Sequence, residues 1–174
     1  MSKNSKQYLV LHHSVSNREN TTVQDIDSWH KKRWSDFKSS LGWYVGYGWV
    51  ILGNGDTVQT RSDDEEQAHT KGWNSKSIGI CLMGDFRYWE VSPQQKNALE
   101  GLLNRLRAKY GIPLKNVLVH AEVLGARTEC PGKNLALWIK TYRTPTKKSL
   151  RKQIALLVEA IANLQKLFNK LFKK

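Results

Sequence analysis

Short apolar runs alternate with helix-forming segments along most of the chain, and this alternation restricts the fold more than any other feature. Residues 92–111 form the clearest helix, because Ser92 is a suitable N-cap, Pro93 fits the first turn and leucines recur on one face. Apolar runs with the length of buried strands lie at residues 7–11, 77–83 and 117–120. Strands that alternate with helices predict the α/β class.

Two further segments carry recognisable start and turn signals. Thr22 and Asp25 resemble a capping box, which predicts a helix that runs to about Arg33. A Gly-Asn-Gly turn separates residues 47–52 from residues 56–61, and glycine and asparagine accept a positive φ. These two segments are therefore expected to pair as a hairpin.

The composition changes at Thr144-Pro145, where a proline disfavours helix in the residue before it. The whole chain has 28 Lys and Arg against 15 Asp and Glu, a formal net charge of +13. Residues 147–174 contain eight of the basic residues and one acid, a net charge of +7. We therefore predict a folded domain at residues 1–143 and a cationic amphipathic helix at residues 144–174.

Apolar residues of this C-terminal segment follow one another at steps of three and four, as in a coiled coil or an amphipathic helix. They comprise Ile154, Ile161 and Phe168 at a positions and Leu150, Leu157, Leu164 and Leu171 at d positions. The stripe is broad and Lys lies opposite it, which is typical of helices that bind anionic membranes. Self-association and packing on the preceding domain are the alternatives. We expect a monomer, with a dimer formed through this segment as the other outcome.

The charge and the lengths of the apolar runs limit the partners expected. A basic excess attracts nucleic acid, anionic membranes and anionic cell-wall polymers alike, but no nucleic-acid recognition motif is visible, so no nucleic-acid partner is expected. No apolar run reaches about 18 residues, and the first seven residues are polar. We therefore expect neither a signal peptide nor a spanning helix, and hence synthesis in the cytoplasm.

Three residues of types that bind zinc follow predicted strands or lie in a turn. His12 follows the first strand, His120 ends a later one, and Cys130 stands before Pro-Gly ten residues further on. Two neutral imidazoles and a thiolate suit Zn²⁺, and a catalytic zinc site leaves a fourth position open. Each residue alone is better explained as an ordinary surface, core or turn side chain. The three together favour a zinc site.

Several groups of residues occur in an order that matches a known family. They are Val10-Leu11-His12-His13-Ser14, residues 45–51, Ala68-His69, Gly72-Trp73-Asn74, residues 77–80, residues 83–86, and His120 with Thr128 and Cys130-Pro131-Gly132. Over about residues 8–139 the chain resembles the zinc amidases that cleave N-acetylmuramoyl-L-alanine, whose fold phage endolysins share with peptidoglycan recognition proteins. The resemblance implies a central mixed β-sheet flanked by helices.

The resemblance also implies roles for particular residues. His12, His120 and Cys130 take the zinc-ligand positions, with an exchange between His12 and His13 left open. Tyr47 takes the position of a tyrosine that stands over the metal, where its phenol would orient water or donate to a developing oxyanion. Thr128 takes a position that is Lys in some members, so it offers a hydroxyl donor without a positive charge.

Substrate contacts are implied in the same way. His69, Trp73 and Asn74 match positions that line the groove for the peptide stem in relatives. The aromatic face of a tryptophan suits sugar rings and lactyl methyl groups. Cys81, by contrast, lies in an apolar run and is expected to be a small buried side chain.

The function implied is hydrolysis of the amide bond between N-acetylmuramic acid and L-alanine in bacterial peptidoglycan. We expect a phage-type endolysin, made in the host cytoplasm, that acts on the cell wall after release and whose basic helix targets the bacterial envelope. The alternatives are a non-catalytic peptidoglycan-binding protein, a cytosolic wall-recycling amidase, and an envelope-disrupting helix fused to a domain of incidental activity.

Overall fold

The computed structural model describes residues 6–144 and 147–172. The described strands are β1 (Tyr8–His13), β2 (Trp49–Ile51), β3 (Thr57–Gln59), β4 (Ser77–Leu82) and β5 (Val117–Val119). The α-helices are α1 (Val23–Arg33), α2 (Pro93–Tyr110), α3 (Lys133–Arg143) and α4 (Lys147–Phe172). The chain divides into two compact units, the first ending at Lys140 and the second beginning at Thr141.

The strands form one mixed sheet in the order β3-β2-β4-β1-β5. β1 pairs in parallel with both β4 and β5, β2 is parallel to β4, and β3 runs antiparallel to β2. The predicted α/β class and mixed sheet are therefore confirmed. Because four strands are parallel, their carboxyl ends lie at one edge of the sheet. His12, near the end of β1, and His120, directly after β5, meet there.

Apolar side chains bury both faces of the sheet. β1 and β4 are almost wholly buried, as expected for parallel strands covered on both faces. α2 contributes Leu99, Leu102, Leu103 and Leu106 to the core. Its start and end follow the sequence signals, because the Ser92 hydroxyl accepts from the Gln95 amide at 3.1 Å and Gly111 ends the helix at φ +66°.

The first helix begins at the predicted capping box. The Thr22 hydroxyl accepts from the Asp25 amide at 3.3 Å, and the Asp25 carboxylate accepts from the Thr22 amide at 2.8 Å. Near its other end, His30 Nδ1 accepts from the Gly46 amide at 2.8 Å, which joins the helix to the segment before β2. The hairpin predicted around Gly-Asn-Gly is the antiparallel pair β2 and β3.

The helix predicted for the C-terminal segment is confirmed as α4, of 26 residues. Pro145, Lys173 and Lys174 lie outside the described residues, and the side chain of Leu150 does so as well. Across the described ranges, no helix combines the length and apolarity needed to cross a membrane.

We predict that His30 makes stability depend on pH. Burial lowers the pKa of His30 from 6.5 to about 4, so the unfolded chain takes up this proton first as the pH falls. The contribution to the free energy of unfolding is complete above pH 6.5 and is lost progressively down to about pH 4. Urea unfolding of metal-free protein should therefore give a shallower pH dependence for His30→Gln over this window. An unchanged slope would contradict the assignment.

Candidate metal centre and active site

His12, His120 and Cys130 meet at the carboxyl edge of the sheet. Their ligand atoms all lie within 4.8 Å of one another. His12 Nδ1 lies 3.7 Å from Cys130 Sγ, and the two imidazole centroids are 4.6 Å apart. Tetrahedral zinc holds nitrogen at about 2.1 Å and sulfur at about 2.3 Å, which separates two such ligand atoms by roughly 3.6 Å. The His12–Cys130 spacing therefore fits a shared zinc ion.

The sheet order and one closed loop produce this cluster. Leu11 pairs with Val119, so His12 and His120 leave neighbouring strands side by side. The loop after β5 then returns to its start, because the Ala121 amide donates to the Cys130 carbonyl at 2.8 Å. A residue ten positions away in the sequence is thereby brought to the strand-end histidine.

Burial sets the protonation of the three side chains. It lowers the pKa of His12 well below 6.5 and lowers the pKa of His120 as well, so both rings are neutral at pH 7 and keep a lone pair. Burial raises the pKa of the Cys130 thiol to about 11. A bound cation would have to displace this thiol proton, as at other cysteine metal sites.

His13 lies outside the cluster. Neighbouring residues of a strand point to opposite faces, and His13 Nδ1 accepts from the Phe86 amide at 3.4 Å and lies 3.7 Å from an Asp85 carboxylate oxygen. The geometry thus brings His12, rather than His13, to His120 and Cys130.

Tyr47 and Thr128 each contact one residue of the cluster. The Tyr47 ring centroid lies 5.1 Å from that of His12. Cys81 is buried, as expected. Burial raises the pKa of Tyr47 well above 10, so the phenol keeps its proton. Thr128 is exposed, and its hydroxyl oxygen accepts from the Cys130 amide at 3.1 Å.

The three residues matched to substrate contacts have different surroundings. His69 is partly buried against His12, with His69 Nδ1 3.0 Å from His12 Nε2. Asn74 Oδ1 accepts from the amides of His69 at 3.0 Å and Thr70 at 2.8 Å. Trp73 is partly exposed and packs edge-on against Tyr8 at 4.7 Å. A role in substrate binding stays a prediction for all three.

Sequence reasoning missed several neighbours of His69. Ser77 Oγ lies 3.1 Å from His69 Nε2, and Thr70 Oγ1 lies 3.0 Å from His69 Nδ1. In the sequence, the close approach of the His69 ring is indicated by Gly79, because a β-carbon on this residue would lie 2.6 Å from the ring. A glycine inside a buried strand indicates a close approach of this kind.

Comparison with known proteins agrees with this geometry. The family model for N-acetylmuramoyl-L-alanine amidase matches residues 2–133. The chain belongs to this amidase family. The endolysin of Enterobacteria phage K11 is 35% identical to this amidase over 125 residues, which cover 68% of this chain and 75% of the relative.

Two further relatives are a peptidoglycan-recognition protein and an amidase of solved structure. Peptidoglycan-recognition protein SC2 of Drosophila melanogaster is 32% identical over 142 residues, covering 78% of this chain and 73% of the relative. The solved amidase LysC from Clostridium intestinale superposes with a TM-score of 0.68 at 33% identity, over 83% of this chain and 90% of LysC. The family predicted from the sequence is confirmed, and these relatives support the predicted peptidoglycan amidase activity.

Proposed function

We propose that this chain is a zinc-dependent N-acetylmuramoyl-L-alanine amidase of the phage endolysin type, which hydrolyses the amide bond between N-acetylmuramic acid and L-alanine. The observation that carries the proposal is the convergence of His12, His120 and Cys130 in a chain of the amidase family. We further propose that the chain is made in a host cytoplasm and acts on the wall after release, by analogy with the endolysins to which it is similar.

The donor set suits zinc. Two neutral imidazoles and one thiolate satisfy a borderline-soft ion, and three protein ligands leave a fourth position for water or substrate. When bound, zinc would polarise the amide carbonyl and lower the pKa of water, which makes hydroxide available near neutral pH.

We assign hydrogen-bond donation during the reaction to the hydroxyl groups of Tyr47 and Thr128. Attack on the amide places negative charge on the carbonyl oxygen, and Tyr47 retains its phenol proton for donation because burial raises its pKa. The Thr128 oxygen accepts from the Cys130 amide, which leaves its own proton available for donation. Neither group is cationic, and stabilisation of the charge would therefore depend on the metal more than on these residues.

Replacement of Cys130 by Ser tests the enzyme against a protein that only binds peptidoglycan. We expect Cys130→Ser to lose bound zinc and to release alanine amino groups from peptidoglycan at least about 100-fold more slowly, because a hydroxyl is a poor zinc ligand. Binding to insoluble cell walls should persist. Glu129→Gln changes the exposed neighbour and serves as the matched control, with wild-type zinc content and activity.

Two results would contradict the proposal of a zinc-dependent amidase. If Cys130→Ser releases alanine at the wild-type rate, the amide is not cleaved at this cluster. If the wild type binds walls but releases no alanine with zinc present, the chain is a recognition protein.

The C-terminal helix is proposed to bind the anionic surface of the bacterial envelope. The exposed apolar side chains of α4 include Ile154, Leu157, Ile161, Leu164, Phe168 and Leu171. At about 100° per residue, Lys166 and Lys170 fall on the side of the helix opposite to Ile161 and Phe168. An apolar stripe backed by lysines can enter the headgroup boundary while its cations meet lipid phosphates.

Charge complementarity favours this occupant over a second copy of the helix. Residues 147–174 carry a net charge of +7, which repels a like segment and attracts an anionic bilayer. Each basic residue near an anionic surface contributes about 1 kcal/mol.

Vesicle binding tests the helix. We expect the full chain to bind phosphatidylglycerol-containing vesicles and to bind phosphatidylcholine vesicles at least about tenfold more weakly, because the cations account for several kcal/mol of the attraction. Ile161→Ser combined with Phe168→Ser should lower binding to the anionic vesicles by at least about tenfold, since each buried apolar side chain contributes about 1.5–3 kcal/mol. Ala155→Ser, on the polar side, is the matched control.

Two results would contradict the membrane assignment. One is equal binding of the wild type and the double variant. The other is a dimer in sedimentation velocity that the double substitution dissociates, which would assign the stripe to self-association.

A further inference from the structure

His69 forms a hydrogen-bond chain that leads away from the candidate metal centre. His69 Nδ1 lies 3.0 Å from His12 Nε2, and His69 Nε2 lies 3.1 Å from Ser77 Oγ. Ser77 Oγ in turn lies 2.6 Å from the carbonyl oxygen of Trp73. The chain thus runs from a candidate zinc ligand to a backbone carbonyl.

The Trp73 carbonyl at the end of this chain determines which atom donates in each of its hydrogen bonds. A carbonyl oxygen only accepts, so Ser77 must donate its single proton to Trp73. Ser77 Oγ can then serve His69 only as an acceptor, which places the His69 proton on Nε2. His69 Nδ1 is therefore an acceptor, and the His12 proton lies on Nε2.

The consequence for His12 concerns its other nitrogen. With the proton on Nε2, the lone pair of a neutral His12 ring is on Nδ1, which is the atom 3.7 Å from Cys130 Sγ. Thr70 Oγ1 lies 3.0 Å from His69 Nδ1 and, as a donor, shares the same acceptor. This contact is consistent with an unprotonated His69 Nδ1.

The backbone around His69 holds its ring in place. Asn74 Oδ1 accepts from the His69 and Thr70 amides and so fixes the turn that carries the ring. Gly79 of β4 leaves the space that the ring occupies, since any β-carbon there would overlap it at 2.6 Å. The His69 ring is therefore packed closely against β4.

We propose that His69 is a positioning residue, which selects the Nε2-protonated form of His12 and turns its Nδ1 towards the metal. The proposal rests on the zinc site of the proposed function. Partners of this kind, bonded to the second nitrogen of a ligating histidine, commonly change metal affinity by about 10–100-fold when they are removed. His69 itself contributes no ligand atom to the cluster.

Two substitutions of His69 separate hydrogen bonding from packing. Leu cannot accept from His12 Nε2, whereas Gln can accept with Oε1 and donate to Ser77 with Nε2. We expect His69→Leu to weaken zinc binding by about 10–100-fold, measured by competition with a chromophoric chelator, and His69→Gln to recover most of that loss. His30→Gln, which removes an imidazole bonded to the Gly46 amide, is the matched control and should bind zinc as the wild type does.

The tautomer can be observed in the wild-type protein without any substitution. In long-range ¹⁵N–¹H spectra of the metal-free chain, we expect His12 and His69 both to be protonated on Nε2. His12 protonated on Nδ1 would overturn the proposal, even if the Leu variant failed to fold. Equal zinc affinity of the wild type and a folded His69→Leu would overturn it too.

Failure of this inference differs from failure of the proposed function. If the wild type binds no zinc and chelation leaves its activity unchanged, the zinc assignment fails and His69 has no metal ligand to position. If the wild type binds zinc and His69→Leu binds it equally, the zinc site stands and only the role of His69 is lost.

Discussion

The parallel pairing of β1 with β5 is the contact on which the candidate site depends. The Leu11–Val119 register brings the strand-end histidines 12 and 120 side by side, although more than a hundred residues separate them in the sequence. The bond between the Ala121 amide and the Cys130 carbonyl then closes the loop that carries the thiol. A shift of β5 by one residue would turn His120 to the opposite face and dismantle the cluster.

Buried cations hold the loops that carry Tyr47 and His69. Lys6, 2% exposed, directs its ammonium to the carbonyl of Asn74 at 3.3 Å, within the turn after His69, and to that of Ser77 at 3.2 Å, at the start of β4. Arg61, 3% exposed, donates to the carbonyls of Val45 at 2.8 Å and Glu66 at 3.2 Å. Irregular backbone thus obtains hydrogen bonds that the sheet does not supply. These bonds restrain the loops from which Tyr47 and His69 reach the His12 side chain.

Local sequence signals and the family resemblance are sufficient to predict much of this architecture. The capping box at Thr22, the N-cap Ser92 and the terminating Gly111 act over a few residues, so their elements were predictable. The contacts of His69 were not, because they depend on the register of β4 and on a turn fixed by Asn74. Periodicity identified the C-terminal helix, but a stripe of apolar residues does not specify what covers it.

The proposed role of the cluster of His12, His120 and Cys130 is metal-dependent amide hydrolysis. The most direct measurement is the release of new alanine amino termini from purified peptidoglycan by the untreated protein, by the chelated protein, and by the chelated protein resupplied with zinc. We expect release that stops on chelation and returns with zinc. Release that persists at the same rate after all bound metal has been removed would contradict it.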